Sequence, residues 1–257
     1  MSRTTVADVI VDGLERAGTP RIFLAPSVGP GRDLAEAARR QGFPVVTVSG
    51  AEVASLMARV TGELSSAAGA AVVSLGPDVV SEAASALTAR APLLLLTDGP
   101  ARDAEDLAPG VVKRTVRLES DSAADAFAHA LVLAMTEPRG PVHVRVSAND
   151  LAREASRIPG ACRPGPLPSP DPRDLDETAR LLGGAGRPLL VAGRGARQHE
   201  AAKWLRALAE ALPAPVLVTP SAKGAIPDPH PLAFGPMGGR IAAALAARRR
   251  DRQHRRR

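Results

Sequence analysis

Cysteine and aromatic residues are scarce in this chain, and each scarcity excludes or disfavours some classes of function. Of its 257 residues only Cys162 is a cysteine, so an intrachain disulfide and a cysteine-based metal cluster are both excluded. Aromatic residues make up 2%, with no tyrosine and one tryptophan, which leaves few rings on which nucleic-acid bases could stack. Since 45% of the residues are hydrophobic, the core must consist mainly of Ala, Val and Leu, as in buried parallel strands and helices.

Long apolar runs are also missing. No stretch approaches the roughly 18 apolar residues of a membrane-spanning helix, and the N-terminus lacks the apolar centre of a signal peptide. These absences predict a cytoplasmic protein with no membrane partner. The net charge is +6, but Arg248–Arg257 holds seven arginines and one aspartate and therefore carries all of it. A charged end of this kind is typical of a solvated tail, so no nucleic-acid partner is predicted.

Strand-like and helix-like segments alternate along the first 150 or so residues. The predicted strands are 21–25, 45–48, 70–74, 93–97, 111–118 and 141–147, the fourth of them buried on both faces. The predicted helices cover 6–17, 33–41, 51–62, 78–90 and 122–135, with a loop at 26–31. This alternation predicts an α/β fold in which helices flank a parallel sheet.

A proline-rich stretch separates this region from a second one. Residues 158–172 hold six prolines and no apolar periodicity, which predicts a linker between domains. The predicted elements beyond it are a helix at 174–182, a strand at 188–192, a helix at 200–212 and a strand at 216–219. The side chains of the second helix expected to face inward are Trp204, Leu205, Leu208 and Leu212. The predicted organisation is a first domain at 1–155, a linker at 156–172, a shortened Rossmann-like domain at 173–240 and an Arg-rich tail at 241–257.

One strand-to-helix junction stands out. The strand 45–48, rich in β-branched residues, ends at Ser49-Gly50, and Glu52 then lies in the first turn of a helix. Apolar residues of this helix recur at amphipathic spacing, namely Val53, Leu56, Met57 and Val60. In open α/β folds ligands bind at the carboxyl ends of the strands, where Glu52 is expected. An acid in this position also stabilises the helix dipole, so its placement alone does not imply function.

Two regions resemble one enzyme family. The strand, the short turn, Glu52, the small apolar residues that follow and Ala58-Arg-x-Thr-Gly resemble the glutamate region of thiamine diphosphate-dependent enzymes. The acetohydroxyacid synthase, benzoylformate decarboxylase and pyruvate oxidase group is the most similar. In the second half, the runs 187–195 and 223–232 resemble the entry strand and the Lys-Gly-x-x-Pro-x-x-His-Pro run of the family's central domain. The resemblance implies a pyrimidine-binding domain followed by a central domain.

The resemblance also implies a site. Glu52 would be the catalytic residue, which hydrogen-bonds the aminopyrimidine ring of the cofactor and promotes its imino tautomer. That role needs a carboxyl group in a dry environment, where it can share a proton. The implied cofactor-binding residues are Pro26, Ser27, Gly76, Pro77 and Ser81. The implied reaction is decarboxylation or carboligation of 2-oxo acids.

Several positions depart from the family pattern. Asp78 and Ser81 stand where the family has Gly and Asn, and Pro26-Ser27-Val28-Gly29 replaces Pro-Gly-Gly. The metal motif, Gly-Asp-Gly followed by Asn, is missing, because the chain has no Gly-Asp-Gly and Asn149 is its only asparagine. The expectation is therefore that this chain holds only the pyrimidine half of thiamine diphosphate. Mg²⁺ would bind through a diphosphate domain of a homodimer partner or of a separate subunit.

A flavin is not predicted. Gly193-x-Gly195-x-x-Gln198 stops one residue short of a dinucleotide fingerprint, and a strand-to-helix turn needs such glycines in any case.

Two functions therefore stay open. One is a thiamine diphosphate-binding, acetolactate synthase-like decarboxylase or carboligase chain that needs a diphosphate domain from elsewhere. The other is a truncated, non-catalytic paralogue that only binds or pairs. Truncation is expected because residues 241–257 lack the apolar strands with which the family's central domain would continue.

Deleting Arg248–Arg257 should leave the melting temperature nearly unchanged. The segment has no apolar periodicity with which to offset the entropy of ordering it. Differential scanning calorimetry of the full chain and of the deletion variant checks this. A drop of several degrees would show that the tail docks on the fold.

Overall fold

The computed structural model describes residues 4–26, 29–98, 107 and 109–238. Ser27 and the predicted tail at 241–257 lie outside these residues. The chain forms two compact units that divide between Pro166 and Leu167, inside the predicted linker. Within the described part of the chain, no helix has both the length and the apolar character needed to cross a membrane.

The first unit alternates helices and strands. In chain order its elements are α1 (Val6–Arg16), β1 (Ile22–Leu24), α2 (Gly29–Gln41), β2 (Val45–Thr47), α3 (Ala51–Leu64), β3 (Gly69–Val72), α4 (Pro77–Thr88), β4 (Leu93–Thr97), β5 (Arg114–Arg117), α5 (Ala123–Met135), β6 (Pro141–Arg145) and α6 (Ala148–Leu151). The six strands form one sheet in the order β2-β1-β3-β4-β6-β5, and every pair in it is parallel. The predicted α/β fold with a parallel sheet is confirmed.

The middle of this sheet is the core. Strands β3, β4 and β6 are buried along their whole lengths, and Leu93–Leu96 of β4 are fully inaccessible to solvent. This confirms the prediction that the fourth strand is covered on both faces, as expected for a parallel sheet with helices on both sides. Within it, the buried ring of His143 lies 2.8 Å from the hydroxyl of Thr97 and 3.2 Å from that of Thr115.

Helix α1 begins as its sequence predicts. The Thr5 hydroxyl accepts a hydrogen bond from the Asp8 N–H, and the Asp8 carboxylate accepts one from the Thr5 N–H. This reciprocal cap satisfies amide groups that have no partner inside the helix. Val6 and Leu14, at the two ends of its apolar face, are both fully buried.

Helix α2 begins earlier than predicted. The loop expected at 26–31 is wrong in its second half, since the helix begins at Gly29 and not at Asp33. Pro30 is compatible with a first helical turn, where its missing N–H costs nothing. A side chain at Gly29 would collide with the carboxylate of Asp98, which follows β4. The sequence pattern carried no sign of this contact, because the two residues are remote in the chain.

Helix α3 buries its small residues and exposes its large apolar ones, which is the reverse of an ordinary amphipathic helix. Its buried residues are the small ones, Ala54, Ser55, Ala58 and Gly62. Three of the four residues on its predicted apolar face, Leu56, Met57 and Val60, are instead exposed by 38–39%. The reason lies in the sheet, because β3 leaves room for little more than backbone between itself and the helix.

Two glycines make that close approach possible. A side chain at Gly62 of α3 would overlap the carbonyl oxygen of Pro92, and one at Gly69 of β3 would overlap that of Ala58. The helix therefore lies with its backbone against the sheet at this point. Large side chains cannot enter such a contact, so they point away from it.

The second unit is a small parallel sheet. Its elements are α7 (Pro172–Gly183), β7 (Leu190–Ala192), α8 (His199–Ala211), β8 (Val216–Val218) and β9 (Ala233–Pro236), with short 3₁₀ turns after β7 and β8. The strands pair in the order β7-β8-β9. Strand β9 was not predicted, because its Gly235 and Pro236 are unfavourable in strands and are tolerated at a sheet edge.

The predicted inward face of α8 is wrong in part. Trp204 is 66% exposed and Leu208 38% exposed, and the buried position of the helix is Ala209. A described sheet of three short strands has too little surface to cover a whole helix face. The amphipathic pattern predicted the helix correctly but did not predict how much of its apolar face is buried.

Part of the predicted linker belongs to the first unit. The Arg16 guanidinium donates hydrogen bonds to the carbonyl oxygens of Ile158 and Gly160. The side chains of Ile158 and Cys162 are buried, and burial raises the pKa of the Cys162 thiol. Arg163 donates to the carbonyl oxygen of Ser66. Proline content alone did not show that this segment is held by hydrogen bonds from arginines.

Replacing Gly62 by alanine should destabilise the first unit by about 1–3 kcal/mol, because the new methyl group would force α3 away from the sheet. Chemical denaturation followed by circular dichroism measures the change in the free energy of unfolding.

The matched control is Gly183→Ala at the exposed end of α7, where a new methyl group meets nothing within 4 Å. That variant should be neutral or more stable by up to about 1 kcal/mol, since alanine favours helix. Equal effects of the two substitutions would show that the contact at Gly62 is not tight.

Candidate functional site

The strand order creates a crevice in the first unit. Strand β1 lies between β2 and β3, so the chain leaves β1 in one direction and later returns to its other side. In open parallel sheets ligands bind at such a reversal, at the carboxyl ends of the strands. The segments that meet there are those following β1, β2 and β3. Apart from Ser27, which lies outside the described residues, the sequence-predicted site residues lie in these segments or in the helices that they open.

Glu52 lies in the first turn of α3, just beyond the end of β2. Its side chain is exposed, and within the described part of the chain it forms no hydrogen bond or ion pair. Gly50 occupies the N-cap position of this helix, where it offers no side-chain cap. The carboxylate is therefore available to a ligand and lies near uncapped amide groups of the helix N-terminus.

Gly76 and Pro77 follow β3 in the same way. Gly76 is the N-cap of α4, and Pro77 is its first residue, a favoured position for proline. A side chain at Gly76 would meet nothing within 4 Å, so the space beside this loop is open. Pro26 lies after β1 and is exposed, and Ser81 is exposed in the second turn of α4. The fold thus brings Pro26, Gly76 and Pro77 to the same edge as Glu52.

A second carboxylate lies at this edge. Asp78 is in the first turn of α4 and is exposed, as Glu52 is in the first turn of α3. The two helices pack side by side. Any ligand at the crevice therefore meets negative charge from both helix starts, which favours a cationic or proton-sharing group over an anion.

An arginine joins these two helices. The Arg59 guanidinium of α3 lies 2.9 Å from the carboxylate of Glu82 on α4 and 2.6 Å from that of Glu63 on its own helix. The hydrogen bond to Glu82, and then that to Glu63, raise the pKa of Arg59 above its ordinary value. All three side chains are largely covered, so this network fixes α3 against α4. Arg59 and Glu82 thereby position the helix starts that carry Glu52 and Asp78.

Sequence reasoning did not single out this network. The spacing of Arg59 and Glu63 is the familiar i,i+4 pair, which the sequence alone displays. Glu82 lies 23 residues further along the chain from Arg59, and only the packing of α3 on α4 brings it near.

The described residues include no group of three or more His, Cys, Asp or Glu side chains that could hold a metal ion. His230 is engaged structurally, since its Nδ1 accepts a hydrogen bond from the Leu232 N–H and its Nε2 lies 3.0 Å from Glu210.

Comparison with known families identifies the chain. Residues 4–126 match the family model of the thiamine pyrophosphate enzyme N-terminal TPP binding domain. Residues 175–252 match the model of the thiamine pyrophosphate enzyme central domain. The chain belongs to the thiamine pyrophosphate enzyme family. The match to the central-domain model extends to residue 252, beyond the predicted end of that domain at residue 240.

Its curated relatives are acetolactate synthases. The chain is 34% identical to the acetolactate synthase large subunit of Corynebacterium glutamicum over 132 residues, covering 49% of this chain and 21% of the relative. It is 40% identical to an acetolactate synthase of Mycobacterium avium over 88 residues, covering 34% and 14%. A putative acetolactate synthase large subunit of Mycobacterium tuberculosis is 27% identical over 267 aligned positions, covering 91% of this chain and 47% of the relative. The chain spans less than half the length of these relatives.

The described residues suit the aminopyrimidine half of thiamine diphosphate better than its diphosphate half. For the aminopyrimidine half, Glu52 offers an exposed carboxyl group that no other side chain engages within the described residues, and the space beside Gly76 at the same sheet edge is open. A carboxyl group can share a proton with a ring nitrogen, so the donor set suits this half. The metal-bound diphosphate half does not fit, because the described residues form no group of three or more side chains that could hold a metal ion, and the edge carries the acids Glu52 and Asp78.

Asp78→Gly should strengthen the binding of thiamine diphosphate, because it removes negative charge and bulk from the first turn of α4 at the candidate edge, and the cofactor is anionic. It should also destabilise α4, since glycine disfavours helix and an acid stabilises its start. Isothermal titration calorimetry measures the affinity of both proteins. Asp78→Asn keeps the size and removes the charge; if it binds no better than the parent chain, charge is not the obstacle.

Proposed function

We propose that the first unit binds the aminopyrimidine half of thiamine diphosphate and is one part of a decarboxylase or carboligase acting on 2-oxo acids. The observation that carries this proposal is the position of Glu52. It is a carboxyl group without a partner in the described chain, in the first helical turn after β2, beside the crevice of a fold that belongs to the thiamine pyrophosphate enzymes.

In this proposal Glu52 holds a proton at the pyrimidine ring. Its carboxyl O–H donates a hydrogen bond to a ring nitrogen of the pyrimidine. Pro26, Gly76, Pro77 and Ser81 line the same edge and orient the ring. The bound cofactor supplies the carbon nucleophile for cleaving or joining 2-oxo acids. On the isolated chain Glu52 is exposed, so excluding water from the proton transfer requires a second surface.

The domain that provides this second surface would also bind the metal. The described chain has no metal site, and it covers less than half of its acetolactate synthase relatives. We therefore propose that a diphosphate-binding domain outside the described residues supplies Mg²⁺ and the diphosphate contacts. The pyrimidine and diphosphate halves would then meet only when the two surfaces come together.

Binding of thiamine, which lacks the diphosphate, tests the pyrimidine site directly. Saturation-transfer NMR should show stronger transfer to the pyrimidine protons than to the thiazolium protons. Glu52→Gln should weaken binding by roughly tenfold, the effect of losing one charge-assisted hydrogen bond. The matched control is Glu200→Gln in the first turn of α8, an exposed helix-start acid in the second unit that should change nothing.

Activity provides the second part of the test. The lone chain with thiamine diphosphate and Mg²⁺ should not turn over pyruvate, and adding the diphosphate domain of an acetolactate synthase should permit turnover that Glu52→Gln abolishes. Saturable turnover by the lone chain would contradict the proposed division of the cofactor.

A non-catalytic role is the alternative. Two observations favour it: Asp78 brings charge to the cofactor edge, and the described residues lack a metal site. A chain that binds thiamine but stays inactive with any supplied diphosphate domain would support this alternative.

A further inference from the structure

Asp98 lies at the carboxyl end of β4, beside the start of α2. A methyl group added to Gly29, the first residue of α2, would overlap the carboxylate of Asp98. Strand β3 lies between β1 and β4 in the sheet, so this contact joins the segments that follow β1 and β4. The contact therefore lies at the same sheet edge as the candidate site.

The first turn of α2 is intrinsically weak. Its sequence is Gly29-Pro-Gly-Arg32, in which two glycines disfavour helix and Arg32 places positive charge near the positive end of the helix dipole. The first turns of α1, α3, α4 and α5 each contain an acid, whereas the first turn of α2 contains none. The start of α2 is therefore the one in this unit that gains most from a negative charge supplied by another segment.

Asp98 supplies such a charge from a fixed support. The preceding residue, Thr97, is buried, and its hydroxyl lies 2.8 Å from Nε2 of the His143 ring. The carbonyl oxygen of Thr97 accepts a hydrogen bond of 3.1 Å from the Val146 N–H. A carboxylate beside a helix N-terminus stabilises the first turn and has little effect further along the helix. Asp98 is thus placed to stabilise the turn that is weakest in α2.

The two ends of α2 are held by different contacts. Near its C-terminal end, the Arg40 guanidinium lies 2.8 Å from the carboxylate of Asp8 on α1. At its N-terminal end, Pro26 lies between the start of α2 and Ala25, whose N–H donates to the carbonyl oxygen of Val72 on β3 at 3.0 Å. A change at the start of α2 therefore reaches Pro26 and the crevice, whereas the contact with α1 is separate from it.

We propose that Asp98 is a positioning residue of the candidate site, because its carboxylate supplies the negative charge that allows α2 to begin at Gly29. The helix start then holds Pro26 in place beside the pyrimidine ring. Without this charge, α2 begins nearer to Asp33, where the local sequence pattern alone predicts its start. The inference rests on the proposed function for the identity of the ligand, but not for the contact between Asp98 and α2.

Amide hydrogen exchange of the full chain, measured by NMR, tests the effect of Asp98 on the helix. The amides of Asp33 and Leu34 donate to the carbonyl oxygens of residues 29 and 30 in an α-helix, so their exchange reports whether the first turn is present. Asp98→Asn keeps the size of the side chain and removes its charge. Both amides should then exchange about threefold to tenfold faster, and those of residues 38–41 should be unchanged.

A second substitution provides a specific rescue. Arg32→Glu places an acid in the first turn of α2 itself, so adding it to Asp98→Asn should restore slow exchange at Asp33 and Leu34. The matched control is Asp228→Asn, which removes an exposed carboxylate from the second unit and should leave the exchange of α2 as it is in the parent chain.

Gly29→Ala tests the contact itself. Alanine favours helix, so this substitution should slow the exchange of Asp33 and Leu34 in an Asp98→Ala background. In the parent chain the new methyl group displaces the carboxylate, and the gain should be smaller or absent. Equal gains in the two backgrounds would show that Asp98 does not touch α2, and the inference would be wrong.

Isothermal titration calorimetry with thiamine connects the helix to the site. Asp98→Asn should weaken binding about threefold or more, and the added Arg32→Glu should restore it. Three results would overturn the inference: unchanged exchange in Asp98→Asn, faster exchange with unchanged thiamine affinity, or weaker binding with unchanged exchange. The last result would mean that Asp98 acts on the cationic ligand by its charge alone.

The proposed function fails separately. A parent chain that binds no thiamine contradicts the proposed function, while the exchange of Asp33 and Leu34 still decides whether Asp98 holds the start of α2. A parent chain that binds thiamine, with exchange indifferent to Asp98→Asn, contradicts only the role of Asp98.

Discussion

The backbone contact between α3 and the sheet is the constraint on which the first unit depends. Gly62 lies against Pro92, and Gly69 of β3 lies against Ala58, so neither glycine can carry a side chain. Interiors pack at close to crystal density, and a contact this tight leaves the helix little freedom to rotate or slide. The axial position of α3, and with it that of Glu52 in its first turn, follows from these contacts.

The same contact explains the surface that α3 presents. Because small residues fill the space toward the sheet, the leucine, methionine and valine side chains are left on the outer side. The Arg59 network with Glu63 and Glu82 then sets the angle of α3 against α4. The candidate carboxyl group Glu52 and the exposed apolar side chains of Leu56, Met57 and Val60 therefore lie on one helix. The packing of that helix against the sheet determines the position of both.

The candidate ligand edge carries two acidic side chains, one from each of two neighbouring helices. Glu52 and Asp78 lie in the first turns of neighbouring helices, and the described residues form no group of three or more side chains that could hold a metal ion. Such an edge suits a ring that shares a proton better than it suits a diphosphate. In the proposed function, this edge is the pyrimidine half of a site whose diphosphate half another domain supplies.

Local pattern alone determined most of the elements and the class of the fold. The run Leu93–Leu96 specified a buried strand, the apolar spacing after Thr5 specified a helix, and Glu52 after a β-branched strand specified a residue at the carboxyl edge of the sheet. These features depend on hydrogen bonds and side-chain spacing within a few residues, which a sequence displays directly. The start of α2 at Gly29, the pairing of Arg59 with Glu82 and the exposure of Trp204 could not be predicted in this way. Only the tertiary structure decided which face of α3 is buried, because that choice depends on how closely a distant strand allows the helix backbone to approach.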